Sequence, residues 1–335
     1  MKKTFVIAEA GANHDNNLNQ AFKLIDIAKE SDADAVKFQT YSSDTLYSRY
    51  TPDFENYKNV PELIRSLELP RDWQVILKEY CDEKNIEFMS TPFDEKAVDE
   101  LFNIGVQRFK IAGFESQDIR LVKYVAKTGL PIIFSAGIGS TIDSINKTLD
   151  WILTENPNCN ISILHCNNAY PTPIDEIYLN TITDYIREFP NHKIGLSDHT
   201  METIVPALAV SLGAEVIEKH FTINRNLSGP DHPFAMMPME LNEMIKHIRI
   251  AERCINGSRN ASITESEKSF SKAMRSVVAR ENIKAGELFT EKNITTKRPL
   301  IENSIPANRY YDMIGKIALE DTIEDEIITT QKVQL

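Results

Sequence analysis

KIGLSDHTMETIVPALAVSLGAEVIEKHF, residues 193–221, is the stretch that decides the fold. It begins and ends with short strand-like runs, Lys193–His199 and Glu215–Phe221, in which side chains can alternate between two faces. Between them, Glu202–Gly213 has apolar residues at helical spacing and ends on a glycine, a usual stop signal for a helix. The stretch therefore predicts two strands joined by a crossover helix, which is a parallel β–α–β unit.

The same alternation extends over the rest of residues 1–257. Six more strand candidates precede this unit: Phe5–Ala10, Ala35–Tyr41, Ile86–Pro92, Arg108–Phe114, Pro131–Gly137 and Ile161–Asn167. Helix candidates lie between them, among them Ala21–Ala33, Glu95–Gly105 and Ile119–Gly129. Eight such units over this length predict an α/β fold, a closed (β/α)₈ TIM barrel. The alternative, an open doubly wound sheet, normally has a glycine-rich loop after its first strand, and this sequence has none.

Changes in composition predict the domain boundaries. Residues 1–257 form the barrel, and residues 42–70, rich in tyrosine and charge, are expected to form an extended loop over its top. Polar residues 258–272 are typical of a linker. Residues 273–335 are expected to form a small second domain of short strands, with candidates at Ser276–Ala279 and Leu288–Thr290.

Composition excludes several functional classes. The chain has 37 Lys and Arg against 49 Asp and Glu, a net charge of −12, which argues against a nucleic-acid-binding protein. No run approaches the ~20 apolar residues of a membrane span. Glu9 interrupts the apolar N-terminus before a signal peptide could form, and four widely spaced cysteines suit a reducing compartment. We therefore expect a cytoplasmic protein.

Polar residues mark the carboxyl end of every predicted strand, which is where a barrel of this kind has its active site. They are Glu9, Lys37, Gln39, Ser90, Thr91, Lys110, Ser135, Asn167, Asn168, Ser197, His199, Glu218 and His220. Residues two apart in a strand share a face, so Lys37 with Gln39 and Glu218 with His220 can both point into the barrel. The sequence therefore predicts one polar cup to which all the strands contribute.

Two lysines in this cup favour an anionic ligand. Buried side by side, Lys37 and Lys110 would repel each other unless an anion lay between them, and the neighbouring hydroxyl and amide groups are good donors to phosphate or carboxylate. The alternative is that Lys37 or Lys110 is a barrel lysine paired with Glu9 or Glu115.

Two histidines favour a metal ion. His199 and His220 end neighbouring predicted strands, so both imidazoles could bind one divalent ion, with Glu218 or water completing the shell. Two nitrogen ligands suit a weakly held Mn²⁺ or Mg²⁺ that leaves positions open to a substrate oxygen. His14 is expected on the substrate side.

At the level of whole motifs, the chain closely resembles the sialic acid synthase family. The resemblance rests on IAEAGANH (7–14), ADAVKFQTY (33–41), STPFD (90–94), LHCNNAYPTP (164–173), GLSDHT (195–200), EVIEKHFT (215–222), GPDH (229–232) and RSVVARENIKAGELFTEKNITTKRP (275–299). It covers essentially the whole chain and implies a (β/α)₈ barrel followed by an antifreeze-like (SAF) domain. It also implies condensation of phosphoenolpyruvate with an N-acetylmannosamine-type aldose to give a nine-carbon 2-keto-3-deoxy acid and phosphate.

The resemblance assigns roles by motif position. It implies phosphoenolpyruvate contacts from Lys37, Thr91, Lys110, Ser135, Asn168 and Ser197, and sugar contacts from Glu9, Gln39, Tyr170, Glu218 and Asp231. It implies His199 and His220 as ligands of Mn²⁺, with Mg²⁺ or Co²⁺ as alternatives, and Glu218, Glu9 and His220 as the catalytic groups. Arg298 would come from the second domain of a partner subunit, which makes the expected assembly a domain-swapped homodimer.

Three positions depart from the family pattern. Gly113 replaces a common serine in Lys110–Gly113, and Glu302 lies close in sequence to Arg298, with which it could pair. Asp15–Asn17 lacks a common glycine, which asparagine can partly replace in a left-handed turn.

Three alternative functions stay open. The acceptor could be the diacetamido-trideoxyhexose of legionaminic or pseudaminic acid synthesis. The chain could be a non-catalytic carbohydrate-binding protein, which would be expected to have lost the lysines or the histidine pair. A barrel lysine could also form a Schiff base, as in an aldolase.

Overall fold

The computed structural model describes residues 3–53, 58–257 and 263–334. Residues 54–57 of the predicted loop and 258–262 of the predicted linker lie outside this range. The described chain divides into two compact units, Met1–Asn256 and Gly257–Leu335. None of its helices combines the length and the apolar character needed to cross a membrane.

Eight parallel strands form the first unit's barrel, which confirms the predicted fold class. The strands are β1 (Phe5–Gly11), β2 (Ala35–Thr40), β3 (Glu87–Pro92), β4 (Phe109–Ile111), β5 (Ile132–Ala136), β6 (Ile161–Cys166), β7 (Lys193–Asp198) and β8 (Val216–His220). Hydrogen bonds join them in the order β3-β2-β1-β8-β7-β6-β5-β4. β3 and β4 lie side by side at the closure, where Arg108 forms a bidentate ion pair with Glu87 at 2.7 and 3.0 Å.

Strand β4 is shorter than the predicted Arg108–Phe114. After Ile111 the chain turns, because the Glu115 amide donates to the Ala112 carbonyl and the Ser116 hydroxyl donates to the Gly113 carbonyl. Residues 112–116 therefore lie in a turn above the barrel, where their side chains can approach the cup.

The barrel interior has an apolar layer below a polar layer. The apolar layer consists of Ile7, Ala35, Met89, Ile133, Leu164 and Val216, which are buried against one another. Two residues further along each strand stand Glu9, Lys37, Thr91, Ser135, Cys166 and Glu218, all nearly inaccessible to solvent. Because side chains two apart share a face, one alternating pattern produces both the barrel floor and the cup above it.

Helices surround the barrel. They are α1 (Leu18–Glu30), α2 (Ser43–Leu46), α3 (Val60–Ser66), α4 (Trp73–Lys84), α5 (Glu95–Asn103), α6 (Ile119–Ala126), α7 (Ile142–Glu155), α8 (Asn180–Glu188), α9 (Val205–Ser211) and α10 (Pro238–Cys254). α1 begins earlier than predicted because the Asn17 side chain caps it, accepting from the Gln20 amide. α9 begins later than predicted, at Val205, with Pro206 in its first turn, where a proline is well tolerated.

The described parts of the segment 42–70, residues 42–53 and 58–70, contain two short helices, α2 and α3, where the sequence predicts an extended loop. Pro61 lies in the first turn of α3, and Leu63, Ile64 and Leu67 follow at helical spacing. These apolar side chains line a cavity at the top of the barrel, described below. The aromatic and charged composition of the segment concealed this short amphipathic helix.

The second unit is built around one antiparallel pair, β9 (Ser276–Ala279) with β10 (Ile294–Lys297), followed by the short helix α11 (Tyr310–Met313). Its core is formed by Val277, Ala279, Ile283, Phe289, Ile294, Ile305, Met313, Ala318, Ile328 and Val333. The predicted strand Leu288–Thr290 is wrong. Leu288 forms one isolated bridge, to Ile317, because Asn293 bonds to the backbone of Thr290 and Leu288 and turns the chain.

Candidate active site

The polar cup lies at the carboxyl ends of the strands, as the sequence predicts. Lys37 of β2 is at its centre: Nζ lies 2.9 Å from Glu9 Oε2, donates to Thr91 Oγ1 at 2.9 Å and lies 3.8 Å from Glu218 Oε1. Gln39 Nε2 donates to the other Glu9 oxygen at 2.9 Å. Lys37 and Glu9 face each other because they are register partners on β2 and β1.

Lys110 occupies the opposite side of the cup. Its Nζ donates to Ser135 Oγ at 2.9 Å and lies 3.4 Å from Glu218 Oε1. The same carboxylate oxygen accepts from Ser197 Oγ at 3.3 Å. Glu218 therefore lies between the two lysines. The ion pairing raised as the alternative to an anion site is present between Lys37 and Glu9, whereas Lys110 has Glu218 beside it and not Glu115.

Burial and charge together set the protonation of the cup. Burial raises the pKa of Glu9 to about 7, with Lys37 opposing and Glu218 reinforcing the shift. Burial disfavours the charged form of Glu218 as well, but Lys110 and Lys37 outweigh it and lower its pKa. Burial would lower the pKa of Lys37, but Glu218 and Glu9 outweigh it and raise the pKa, whereas burial lowers the pKa of Lys110. Near pH 7 Lys37 and Glu218 are therefore charged and Glu9 is partly protonated. An anion that enters the cup would meet the Lys37 ammonium and the Lys110 amino group as hydrogen-bond donors.

This charge distribution predicts pH-dependent anion binding. As the pH rises from 6 to 8, Glu9 loses its proton and adds a negative charge beside Lys37, so the affinity for sulfate, a dianion throughout, should fall roughly tenfold. Titration calorimetry with sulfate measures this dependence, and Glu9→Gln should abolish it. Burial also raises the pKa of Glu115 to about 7, so Glu115→Gln is the matched control. A dependence that persists in Glu9→Gln and disappears in Glu115→Gln would contradict the assignment.

His199 and His220 lie together above the lysines, with ring centroids 5.4 Å apart. His199 Nδ1 lies 2.6 Å from the Asn167 carbonyl oxygen, which can only accept, so Nδ1 carries hydrogen and Nε2 keeps its lone pair. His220 Nδ1 is buried without a hydrogen-bond partner and lies 3.9 Å from Asp231 Oδ2. Burial lowers the pKa of both imidazoles, which favours their neutral form.

These two neutral imidazoles fit the donor set for a divalent metal. A ligand histidine usually donates its second ring nitrogen to a backbone carbonyl, as His199 does here. Within residues 3–53, 58–257 and 263–334, no group of three or more histidine, cysteine, aspartate or glutamate residues is arranged to hold a metal ion. A metal ion held by these two imidazoles would have two nitrogen ligands from the described residues, with its remaining positions open to water or substrate oxygen.

A buried ion pair lies one residue before each histidine. Asp198 and Lys219 are register partners on β7 and β8, and Lys219 Nζ lies 2.6 Å from Asp198 Oδ2. Lys219 also donates to the Thr200 carbonyl. This ion pair joins β7 and β8 at the level of the two imidazoles. It is not predicted from the sequence, because Asp198 and Lys219 alternate with the residues that point into the cup and so belong to the other face of their strands.

Asn168 lies beside two glycines at the ends of β4 and β5. Its Oδ1 accepts from the Ile138 amide at 2.7 Å, and its side chain also forms a hydrogen bond with that of Tyr170. A Cβ at Gly137 would lie 2.1 Å from Oδ1, and one at Gly113 would lie 3.0 Å from it. Because Gly113, which stands where the family commonly has serine, carries no Cβ, the Asn168 side chain can lie against the backbone at this position.

A cavity of about 280 Å³ opens beside the cup. Its polar lining residues include Gln39, Glu115, His220 and Asp231, together with Tyr41 and Tyr47. Its apolar lining comes largely from α2, α3 and the turns after β3 and β4: Leu46, Val60, Leu63, Ile64, Leu67, Phe93 and Phe114. Tyr170 lies at the rim with its ring centroid 4.2 Å from that of His199.

Two further predictions have clear structural outcomes. Asn16 has φ +51°, which confirms that asparagine adopts a left-handed conformation in the loop after β1. Arg298 follows β10 in the second unit and is exposed, and within the described chain it forms no ion pair with Glu302. Cys166, one of the four widely spaced cysteines, is buried and belongs to the cup layer. The sequence could have shown this, because Cys166 lies two residues after Leu164 in β6 and therefore points to the same face of the strand, into the barrel.

The comparisons with known proteins agree over nearly the whole chain. The NeuB family matches residues 24–260 and the SAF domain matches residues 274–334. An N,N'-diacetyllegionaminic acid synthase of Campylobacter jejuni is 38% identical, covering 98% of this chain and 99% of that protein. Spore coat polysaccharide biosynthesis protein SpsE of Bacillus subtilis is 39% identical over 88% of this chain and 83% of that protein. The crystal structure of an N-acetylneuraminic acid synthetase from Leptospira borgpetersenii, 32% identical, superposes with a TM-score of 0.73 over 80% of this chain and 90% of that one.

Proposed function

The chain belongs to the NeuB family and carries a SAF domain, and from this premise we propose that it condenses phosphoenolpyruvate with an N-acetylated amino-hexose in its aldehyde form. The products would be a nine-carbon 2-keto-3-deoxy sugar acid and phosphate. The observation that carries the proposal is the cup, in which two buried lysines and a line of hydroxyl donors stand directly below a pair of neutral imidazoles. The lysines and hydroxyl groups suit an anion, and the imidazole pair suits a metal ion that polarises a carbonyl oxygen.

In this proposal the lysines hold phosphoenolpyruvate. Lys37 with Thr91 and Lys110 with Ser135 form two donor pairs, and Ser197 and the Asn168 amide add neutral donors. When the anion enters, it shares the two lysines with Glu218 and Glu9 and competes with these carboxylates for them. The donors are already oriented, so the negative charge that develops on the departing phosphate is stabilised without reorganisation.

Carbon–carbon bond formation needs an activated aldehyde. His199 and His220 would hold a divalent metal, Mn²⁺ or else Mg²⁺ or Co²⁺, which supplies Lewis-acid polarisation of the aldehyde oxygen when bound. Gln39, Tyr170 and Asp231 line the cavity in which the sugar would lie. C3 of phosphoenolpyruvate then attacks the aldehyde carbon. Glu9, whose pKa is about 7, can give the new alkoxide its proton.

Glu218 completes the reaction at C2. Attack through C3 leaves C2 electron-poor, and water adds there while the Glu218 carboxylate, kept ionised by the lysines, accepts a proton from it. The bond between C2 and the phosphate oxygen then breaks, and phosphate leaves with that electron pair and with the second proton of the water, so the water oxygen remains as the ketone oxygen. Glu218 releases the proton that it accepted and Glu9 takes one up, which restores both groups and balances atoms and charge.

The large apolar share of the cavity lining favours the diacetamido-trideoxyhexose over N-acetylmannosamine as the acceptor. Leu63, Ile64 and Leu67 offer no hydrogen bonds to hydroxyl groups, but they suit the methyl groups of a 6-deoxy carbon and of a second acetamido group. The diacetyllegionaminic acid synthase found among the relatives is consistent with this choice. N-acetylmannosamine is the second candidate, supported by the structural likeness to the N-acetylneuraminic acid synthetase.

The test is phosphate release from phosphoenolpyruvate with Mn²⁺ and a panel of acceptors, with product masses read in parallel. The panel contains N-acetylmannosamine, its 6-phosphate and the two diacetamido-trideoxyhexoses. Release with one sugar and the mass of the condensed acid would establish the reaction and the acceptor. Borohydride trapping of a pyruvate adduct on Lys110, whose pKa is lowered by burial, would instead support the Schiff-base alternative. Folded protein that is silent in both assays would contradict the proposal.

We also propose a domain-swapped homodimer in which Arg298 reaches the partner subunit's cup. Co-expression of Glu218→Gln subunits with Arg298→Ala subunits tests it, because a swapped mixed dimer has one site with both lesions and one with none. If both variants are inactive alone and subunits mix randomly, about a quarter of wild-type activity should return. No recovery in dimers shown to be mixed would place Arg298 in its own subunit's site.

A further inference from the structure

His232, the last residue of the GPDH motif, has three buried polar contacts that the proposed chemistry does not use. Its Nε2 lies 3.0 Å from both carboxylate oxygens of Asp15, and its Nδ1 lies 2.6 Å from Thr222 Oγ1. Both His232 and Thr222 are fully inaccessible to solvent. Asp15 belongs to the loop after β1, and Thr222 follows β8, so one imidazole joins two loops at the top of the barrel.

The arrangement resembles an acid–histidine–hydroxyl triad, but it cannot act as one. A nucleophilic hydroxyl must meet substrate, and the Thr222 side chain is sealed from solvent. The Asp15 carboxylate needs hydrogen on Nε2, so in a neutral imidazole Nδ1 accepts from the Thr222 hydroxyl. Every polar atom of the ring is thus satisfied within the protein, which is the property of a positioning residue.

Further contacts fix the same loops. Gln20 Nε2 donates to Asp15 Oδ2 at 2.7 Å, and Asn13 Nδ2 donates to the Phe221 carbonyl at 2.8 Å. Gly229 packs so closely that a Cβ there would lie 2.7 Å from Asp15 Oδ1. The GPDH loop is therefore held against the loop after β1 at both of its ends.

Asp231, which precedes His232, is the residue that this loop presents to the cavity. Its Oδ2 lies 3.4 Å from the Ala12 amide and 3.9 Å from His220 Nδ1. Neither contact is short enough to fix the carboxylate by itself. The position of Asp231 consequently depends on how firmly its neighbour His232 is held.

We infer that His232, held by Asp15 and Thr222, is a positioning residue that aims the Asp231 carboxylate at the sugar acceptor. The inference rests on the proposed function for the identity of the ligand and on the geometry above for the restraint. It assigns His232 to acceptor binding alone, because the phosphoenolpyruvate donors come from other strands.

A double-mutant cycle tests the inference. His232→Leu should raise KM for the accepted sugar about 10- to 100-fold and leave KM for phosphoenolpyruvate unchanged, because it removes a buried bond to a charged group. His232→Gln, which keeps a donor for Asp15, should restore most of the loss. If His232 acts through Asp231, the double variant His232→Leu with Asp231→Asn should have the same KM for the sugar as Asp231→Asn alone. His192→Leu, at the opposite end of the barrel, is the control.

A second measurement does not need turnover. The amide hydrogens of residues 223–236 should exchange faster in Asp15→Asn and in Thr222→Val than in the wild type, while exchange in β4 and β5 stays unchanged. Both substitutions disturb the structure less than His232→Leu, which removes the imidazole ring. Additive effects in the cycle, an equal rise in KM for phosphoenolpyruvate, or unchanged exchange would overturn the inference. Faster exchange in an enzyme that uses no sugar of the panel would support the restraint and count against the proposed function instead.

Discussion

Glu218→Gln should lower kcat by about a hundred- to ten-thousandfold while phosphoenolpyruvate binds as tightly as before or more tightly. The amide has nearly the same volume, so the packing of the cup is kept. It cannot accept a proton from water, and it no longer competes with the substrate anion for Lys37 and Lys110, which lie 3.8 and 3.4 Å from Oε1. Phosphate release measures kcat, and calorimetry in the absence of sugar measures the binding of phosphoenolpyruvate.

The matched control is Glu243→Gln, the same chemical change at an exposed position of α10. It should leave both quantities unaltered. Turnover of Glu218→Gln close to that of the wild type would remove Glu218 from the chemistry. Joint loss of turnover and of phosphoenolpyruvate binding would show that the carboxylate organises the lysines, in conflict with the role given to it here.

The second large effect is expected from the imidazole pair. His199→Ala and His220→Ala should each abolish the binding of one Mn²⁺, followed by electron paramagnetic resonance, and lower turnover about a thousandfold or more. The fold should survive, because both side chains stand at the ends of strands above a cup held together by other residues. Equal thermal unfolding temperatures of the variants and the wild type would establish this.

His192→Ala is the control for this pair, because His192 directly precedes the opposite end of β7, the strand after which His199 lies. It should bind Mn²⁺ as the wild type does. Normal metal binding by both His199→Ala and His220→Ala would contradict the metal assignment. Loss of the metal with undiminished turnover would separate the metal from the reaction.

The sequence predicts the architecture well because barrel and cup come from one alternating pattern. Lys37 and Gln39, or Glu218 and His220, have to share a face once their strands are recognised. The pattern does not say which carboxylate faces which lysine. That depends on register between neighbouring strands, which places Glu9 opposite Lys37, and on reach across the barrel, which brings Glu218 within 3.4 Å of Lys110.

What the sequence left hidden depends on contacts between distant residues. His232 meets Asp15 across 217 positions, and no local pattern marks two such residues as partners. The helix α3 was overlooked because its apolar face is short and lies in a segment dominated by tyrosine and charge. Strand β4 was overextended since a turn stabilised by Ser116 is not visible as an interruption of strand-like residues.

The apolar layer beneath the cup has a kinetic consequence. The barrel is closed from below by Ile7, Met89, Leu164 and their apolar neighbours. The cup therefore opens only at the top of the barrel. Lys37 and Lys110 stand near the floor of the cup, whereas the cavity to which the proposed function assigns the sugar lies beside its mouth. A sugar that arrived first would block the path of the anion. The two substrates are therefore expected to bind in a compulsory order, with phosphoenolpyruvate leading, and the sugar acid has to depart before the next anion can enter.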